Sequence, residues 1–121
     1  MISIIDDDYS VREAVKNLIR SIGYDAVTFP SAEEYLGCKS VEEFECVITD
    51  LQMPGMTGID LQDRLIADGY RKPIILMSAL SEGVDSSATK TAAFDFLRKP
   101  FSDERLIKCL DRASGASVNS R

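Results

Sequence analysis

CVITDLQMPGMTG, residues 46–58, begins as a run of apolar and β-branched residues, the pattern of a buried strand, and ends it on one carboxylate, Asp50, before Pro-Gly turn chemistry. A charge that closes a buried strand needs a reason. Working outward, similar short runs at residues 2–5, 26–29, 73–77 and 94–97 complete a set of five expected strands. Between the first two, Val11, Ala14, Val15, Leu18, Ile19 and Ile22 recur at helical spacing, opened by a Ser10-x-x-Glu13 capping box and closed by Gly23. A second capping box, Ser31-x-x-Glu34, opens a helix with Tyr35 and Leu36, and Ile59, Leu61, Leu65 and Ile66 mark a third that stops before Gly69. Ser102, Leu106, Ile107, Leu110 and Ala113 mark the last. Strands alternating with helices imply an α/β fold, a parallel sheet covered on both faces, because parallel neighbours need crossover connections.

Two segments are weaker. Residues 79–93, ALSEGVDSSATKTAA, hold a fourth helix down only by a seam of Val84, Ala88 and Ala92, and Ser, Asp and Thr lower its propensity. The tail SGASVNSR, residues 114–121, has no apolar periodicity and reads as a linker-like end to a domain of residues 1–113.

The 121 residues suit one domain with a real core, and a net charge of −6 repels phosphate backbones and anionic membranes. Direct nucleic-acid binding by this chain is not expected. MISIIDDD lacks the basic start of a secretory signal, and no run approaches the roughly 20 apolar residues that span a bilayer, so a cytoplasmic protein is expected. Three widely spaced cysteines, Cys38, Cys46 and Cys109, fit reduced thiols better than a disulfide framework or a zinc site. The absence of histidine removes Ser-His and Cys-His catalysis and histidine metal ligands. Chemistry must rest on carboxylates, lysine and hydroxyls.

Ligand sites in open α/β sheets form beyond the carboxyl ends of the strands. There the first run finishes on Asp6-Asp7-Asp8, the third on Asp50, the fourth on Ser78 and the fifth on Arg98-Lys99-Pro100. Singly, each has a plain explanation: a solvated turn before a helix, the start of a turn, a helix cap, an exposed lysine, and for Phe96 a place in the core. Their order and strand positions together favour one site. Adjacent carboxylates about 4 Å apart repel by roughly 4 kcal/mol at an effective dielectric near 20, and an all-oxygen cluster suits Mg²⁺.

IIDDD on the first strand, ITDLQMPGMTG on the third, MSA on the fourth and FLRKPF on the fifth make the chain resemble the receiver domain of two-component response regulators, over residues 2 to about 113. The resemblance implies a doubly wound five-stranded parallel sheet, flavodoxin-like, with strand order 2-1-3-4-5 and helices on both faces. It also implies that Asp50 accepts a phosphoryl group from a sensor histidine kinase, with Asp6, Asp7, Asp50 and the Gln52 backbone carbonyl serving Mg²⁺. Ser78 would then hydrogen-bond the phosphoryl group, Lys99 would balance its charge, and Phe96 matches the switch aromatic. Lys99-Pro100 resembles the family's cis bond, and small Ala79 leaves the phosphoryl group room. The family often has Gly where Ala92 stands, and the spacing from Ser78 to Lys99 is one residue short, which puts the form of the fourth helix in question.

The expected output is a switched surface of fourth helix, fifth strand and fifth helix, with a phosphorylation-dependent homodimer through it. DDDYSVREAV, TFPSAEEYL and MPGMTGIDLQDRL are most similar to receivers that precede a helix-turn-helix output domain, so the tail is expected to lead into one. The alternatives are a stand-alone receiver acting as a phosphate shuttle or docking protein, and, from another class, a flavodoxin-like binder or Mg²⁺-dependent phosphatase. Against the latter, the first strand lacks a glycine-rich phosphate loop and Asp50 lacks Asp-x-Asp spacing. No turnover of an external substrate is expected.

Overall fold

The strand runs and the helical spacings are assembled in the computed structural model into five parallel strands, β1 (Ile2–Ile5), β2 (Ala26–Phe29), β3 (Cys46–Asp50), β4 (Ile74–Ser78) and β5 (Asp95–Arg98), in the order β2-β1-β3-β4-β5. The structure describes residues 1–38, 44–78, 95–99 and 101–119. The expected fourth helix, Ala79, Lys90, Ala92 and the Lys99-Pro100 bond lie outside them.

Every residue of β1, β3 and β4 is buried, as a parallel sheet covered on both faces requires. Alternate residues divide between two cores. Ile4, Ile48, Ile75 and Met77 pack with Val15 and Ile19 of α1 (Tyr9–Ser21) and with Leu106 and Leu110 of the C-terminal helix (Asp103–Asn119). Ile5, Val47 and Leu76 pack with Tyr35 of α2 (Ala32–Leu36) and with Leu61 and Leu65 of α3 (Gly58–Ala67). Each fully buried Ile or Leu contributes about 1.5–3 kcal/mol, so these two cores hold the sheet without help from its polar rim.

Several local expectations are corrected. Asp8, rather than Ser10, caps α1: its carboxylate accepts from the backbone N–H groups of Ser10 at 2.8 Å and Val11 at 3.3 Å. A carboxylate at a helix N-terminus also meets the favourable end of the macrodipole, which makes it the better cap. The capping box belongs to α3, where Thr57 and Asp60 bond each other's backbone reciprocally. Ser31 does cap α2, accepting from the Glu34 N–H at 3.1 Å. The C-terminal helix continues to Asn119, so residues 114–119 are helical where an irregular tail was expected. Backbone hydrogen bonding propagates a helix past its last apolar anchor once it is nucleated.

Among the described residues no helix is long and apolar enough to cross a membrane.

Candidate functional site

Register creates the site. β1 pairs with β3 through Ile5 and Thr49, so Asp6 and Asp50, one step further on, emerge side by side from the two central strands. β4 ends beside them at Ser78, opposite Arg98 of β5, and the Lys99 N–H donates to the Ser78 carbonyl at 2.6 Å. The crossover rules of the fold thus bring the ends of four strands to one edge.

Asp6 is fully buried and Asp50 is 7% exposed, while Asp7 is exposed at the mouth. One carboxylate oxygen from each of the three lies within 4.8 Å of the others. Lys99 is their counter-charge, with Nζ 2.8 Å from Asp6 Oδ2 and 3.3 Å from Asp50 Oδ1. Asp6 is further held by the Asp8 N–H, which donates to Oδ1 at 2.9 Å, and by Arg12, which donates to its backbone carbonyl at 2.7 Å. Three carboxylates and one ammonium leave the cluster with two negative charges in excess.

The electrostatics follow from that imbalance. Burial raises the Asp50 carboxyl above its ordinary pKa, and the Asp6 charge adds to the rise, while Lys99 opposes it. Burial works against the Lys99 ammonium, but the hydrogen bond to Asp6 and the charges of Asp50 and Asp6 outweigh it, so its pKa lies above the usual lysine value. Carboxylate oxygens no more than 4.8 Å apart repel by at least roughly 3.5 kcal/mol at an effective dielectric of about 20. A hard divalent cation suits the cluster, because the donors are all oxygen and gather within 4.8 Å of one another.

The turn after Asp50 is held tightly. The Leu51 N–H donates to the Met77 carbonyl at 2.7 Å and the Gly58 N–H to the Leu51 carbonyl at 3.0 Å. A Cβ on Gly58 would lie 2.4 Å from the Asp50 carbonyl oxygen and 2.9 Å from Leu51 Cα, which only glycine avoids.

Asp6, Asp7, Asp50 and Lys99 are therefore brought together as the sequence implied, and Ser78 is buried at the adjacent strand end. Gln52 is exposed on the loop two residues past Asp50. Phe96 is half-buried on β5, in register with Leu76, and its carbonyl accepts from Arg105 at 3.3 Å. Sequence reasoning missed Arg12, whose one signal was its place one turn into α1 behind the acidic run. Cys38, Cys46 and Cys109 are reduced thiols, Cys46 and Cys109 buried and Cys38 half-buried, and burial pushes Cys46 up to about 12, which leaves that thiol inert.

The five-stranded 2-1-3-4-5 parallel sheet defines a doubly wound domain, and three carboxylates and a lysine gather at its carboxyl edge. Residues 2–111 match the family model of the response regulator receiver domain, and the chain belongs to that family. It is 35% identical over 111 residues to the transcriptional regulatory protein TdiR of Thauera aromatica, covering 91% of this chain and 49% of that protein. With the transcriptional regulatory protein FixJ of Bradyrhizobium diazoefficiens it shares 35% identity over 113 residues, 93% of this chain and 55% of FixJ. The chain spans about half the length of the curated relatives it matches. Among solved structures, that of the response regulator StyR superposes with a TM-score of 0.88 at 35% identity, covering 99% of this chain and 61% of that one.

Proposed function

We propose that this receiver accepts a phosphoryl group on Asp50 from a partner histidine kinase and passes the change to an output domain or partner. The observation that carries the reading is the pairing of buried Asp50 with Lys99 beside Asp6 and Asp7, at the carboxyl ends of the strands, where open α/β sheets bind their ligands. An Asp50 carboxylate oxygen attacks the donor's phosphorus, an O–P bond forms, and the P–N bond of the kinase phosphohistidine breaks with its electron pair returning to the ring. Lys99 balances charge on the transferred oxygens, and the Ser78 hydroxyl donates to one of them. Asp6, Asp7, Asp50 and the Gln52 carbonyl would hold Mg²⁺, which supplies charge neutralisation when bound. The modification stays on the chain itself, so the protein is a switch rather than an enzyme that turns over a separate substrate.

The relatives' roughly doubled length and their names as transcriptional regulators support a receiver of residues 1–113 whose segment 114–121 leads into a DNA-binding output. The switched surface would comprise β5, the C-terminal helix and the expected fourth helix, with Phe96 as its moving aromatic. The reduced thiols fit the cytoplasm. Intact mass after incubation with acetyl phosphate and Mg²⁺ tests the acceptor: an 80 Da adduct on the parent that is absent from Asp50→Asn is expected. An adduct of equal yield on the Asn variant would place the acceptor elsewhere.

A further inference from the structure

Between its two backbone anchors, Leu51 and Gly58, the loop that follows Asp50 is reached by a side chain from a different element. Glu33, in the first turn of α2, accepts a hydrogen bond from the Met56 N–H through Oε2 at 3.0 Å, across 23 positions of sequence. The same oxygen occupies the space beside Gly55. That glycine has a left-handed φ of +77°, and a Cβ built on it would lie 2.7 Å from Glu33 Oε2. Two independent features of the loop, a donor turned outward and a residue without a side chain, therefore meet one carboxylate oxygen. α2 can serve as the fixed point because Ser31 caps it and its Tyr35 is fully buried.

We propose that Glu33 is a positioning residue for the acceptor site: its carboxylate clasps the loop of residues 51–57 and thereby sets where the Gln52 carbonyl stands relative to Asp50. The proposal rests on the phosphoacceptor reading above. Glu33 touches none of the reacting groups and acts through the loop alone. The clasp is built from the second strand's helix, so it couples α2 to the metal-binding edge of the central strands. It also accounts for the glutamate in the expected helix of TFPSAEEYL, where helix propensity alone would accept many residues.

The bond is exposed, so it exchanges with water and its effect is modest; loosening it should weaken Mg²⁺ binding about threefold to tenfold. The experiment compares the parent with Glu33→Ala and Glu33→Gln. It measures amide exchange at Met56 without metal, the Mg²⁺ concentration that half-saturates the rise in melting temperature, and the rate of modification by acetyl phosphate against Mg²⁺. Glu33→Ala is expected to speed Met56 exchange and raise the half-saturating Mg²⁺ in both titrations, while the rate at saturating Mg²⁺ stays within about twofold of the parent. Glu33→Gln keeps an oxygen acceptor but not the charge, and should restore parental values. Glu33→Ala with unchanged Mg²⁺ dependence overturns the positioning role, whether or not Met56 exchanges faster. Glu33→Gln behaving as Glu33→Ala overturns the hydrogen bond as its basis. A parent that forms no adduct defeats the phosphoacceptor reading instead, and the exchange and melting titrations still judge the clasp.

Discussion

Replacing Lys99 with methionine keeps much of the side-chain length and removes only the charge that balances Asp6 and Asp50. At 2.8 and 3.3 Å and an effective dielectric of about 20, the gross attractions lost are about 6 and about 5 kcal/mol. Most of that is offset in the parent by desolvation, and deleting one partner of a buried pair ordinarily costs about 3–5 kcal/mol. The Lys99 side chain is 18% exposed, so water can reach the vacated space and the lower end applies. Lys99→Met should therefore lose about 3 kcal/mol at pH 7, which for a domain of this size lowers the melting temperature by about 10 °C. The loss depends on pH with a definite sign. A carboxyl whose folded pKa is raised, as that of Asp50 is, stabilises the fold below its unfolded pKa, and this contribution is lost as pH rises through the folded value. Without Lys99 the rise is larger, so the variant falls furthest behind the parent at neutral pH and regains ground as Asp50 protonates. Urea unfolding of both proteins at pH 7 and pH 5, with and without millimolar Mg²⁺, measures this. A gap below about 1 kcal/mol at pH 7, or one that widens as pH falls, would refute the assignment of Lys99 as the counter-charge.

Asp7→Ala removes the exposed carboxylate of the cluster and should abolish most of the Mg²⁺-dependent rise in melting temperature, with little change in metal-free stability; coincident parental melts with and without Mg²⁺ would contradict a metal site. Gly58→Ala forces a methyl against the Asp50 carbonyl and Leu51 Cα, both backbone atoms, and should cost about 2–3 kcal/mol in denaturant unfolding; a change under 0.5 kcal/mol would mean that the turn relaxes freely. Beryllium fluoride with Mg²⁺, a phosphoryl mimic, should produce a dimer in sedimentation and alter amide exchange at Phe96 and along the C-terminal helix. Equal mass and equal exchange in both states would remove the switched surface.

The strands could be read from local runs because a residue buried on both faces of a parallel sheet must be apolar whatever its neighbours, and α1 and α3 from a 3.6-residue period that needs no partner to be visible. Asp50 was legible for the same reason: a carboxylate ending an apolar run is conspicuous in one dimension. The sequence by itself therefore determined the five strands and the position of α1, α2 and α3, though not the run of the C-terminal helix to Asn119, and motif order pointed to the family. What it left open was every quantity that depends on two distant segments meeting. The cap made by Asp8 is local, two and three residues ahead of it, but that Asp6 of the same acidic run points instead to Lys99 is decided only by the assembled sheet. Lys99 lies 93 positions from Asp6, and strand order sets β3 nearer to β5 than β1, so its closer approach to Asp6 than to Asp50 is decided by side-chain placement in the assembled site and not by strand adjacency. The clasp of Glu33 on Met56 is of the same kind, because hydrogen-bond partners across a packed interface are chosen by distance and angle, which exist only once the helices have docked on the sheet.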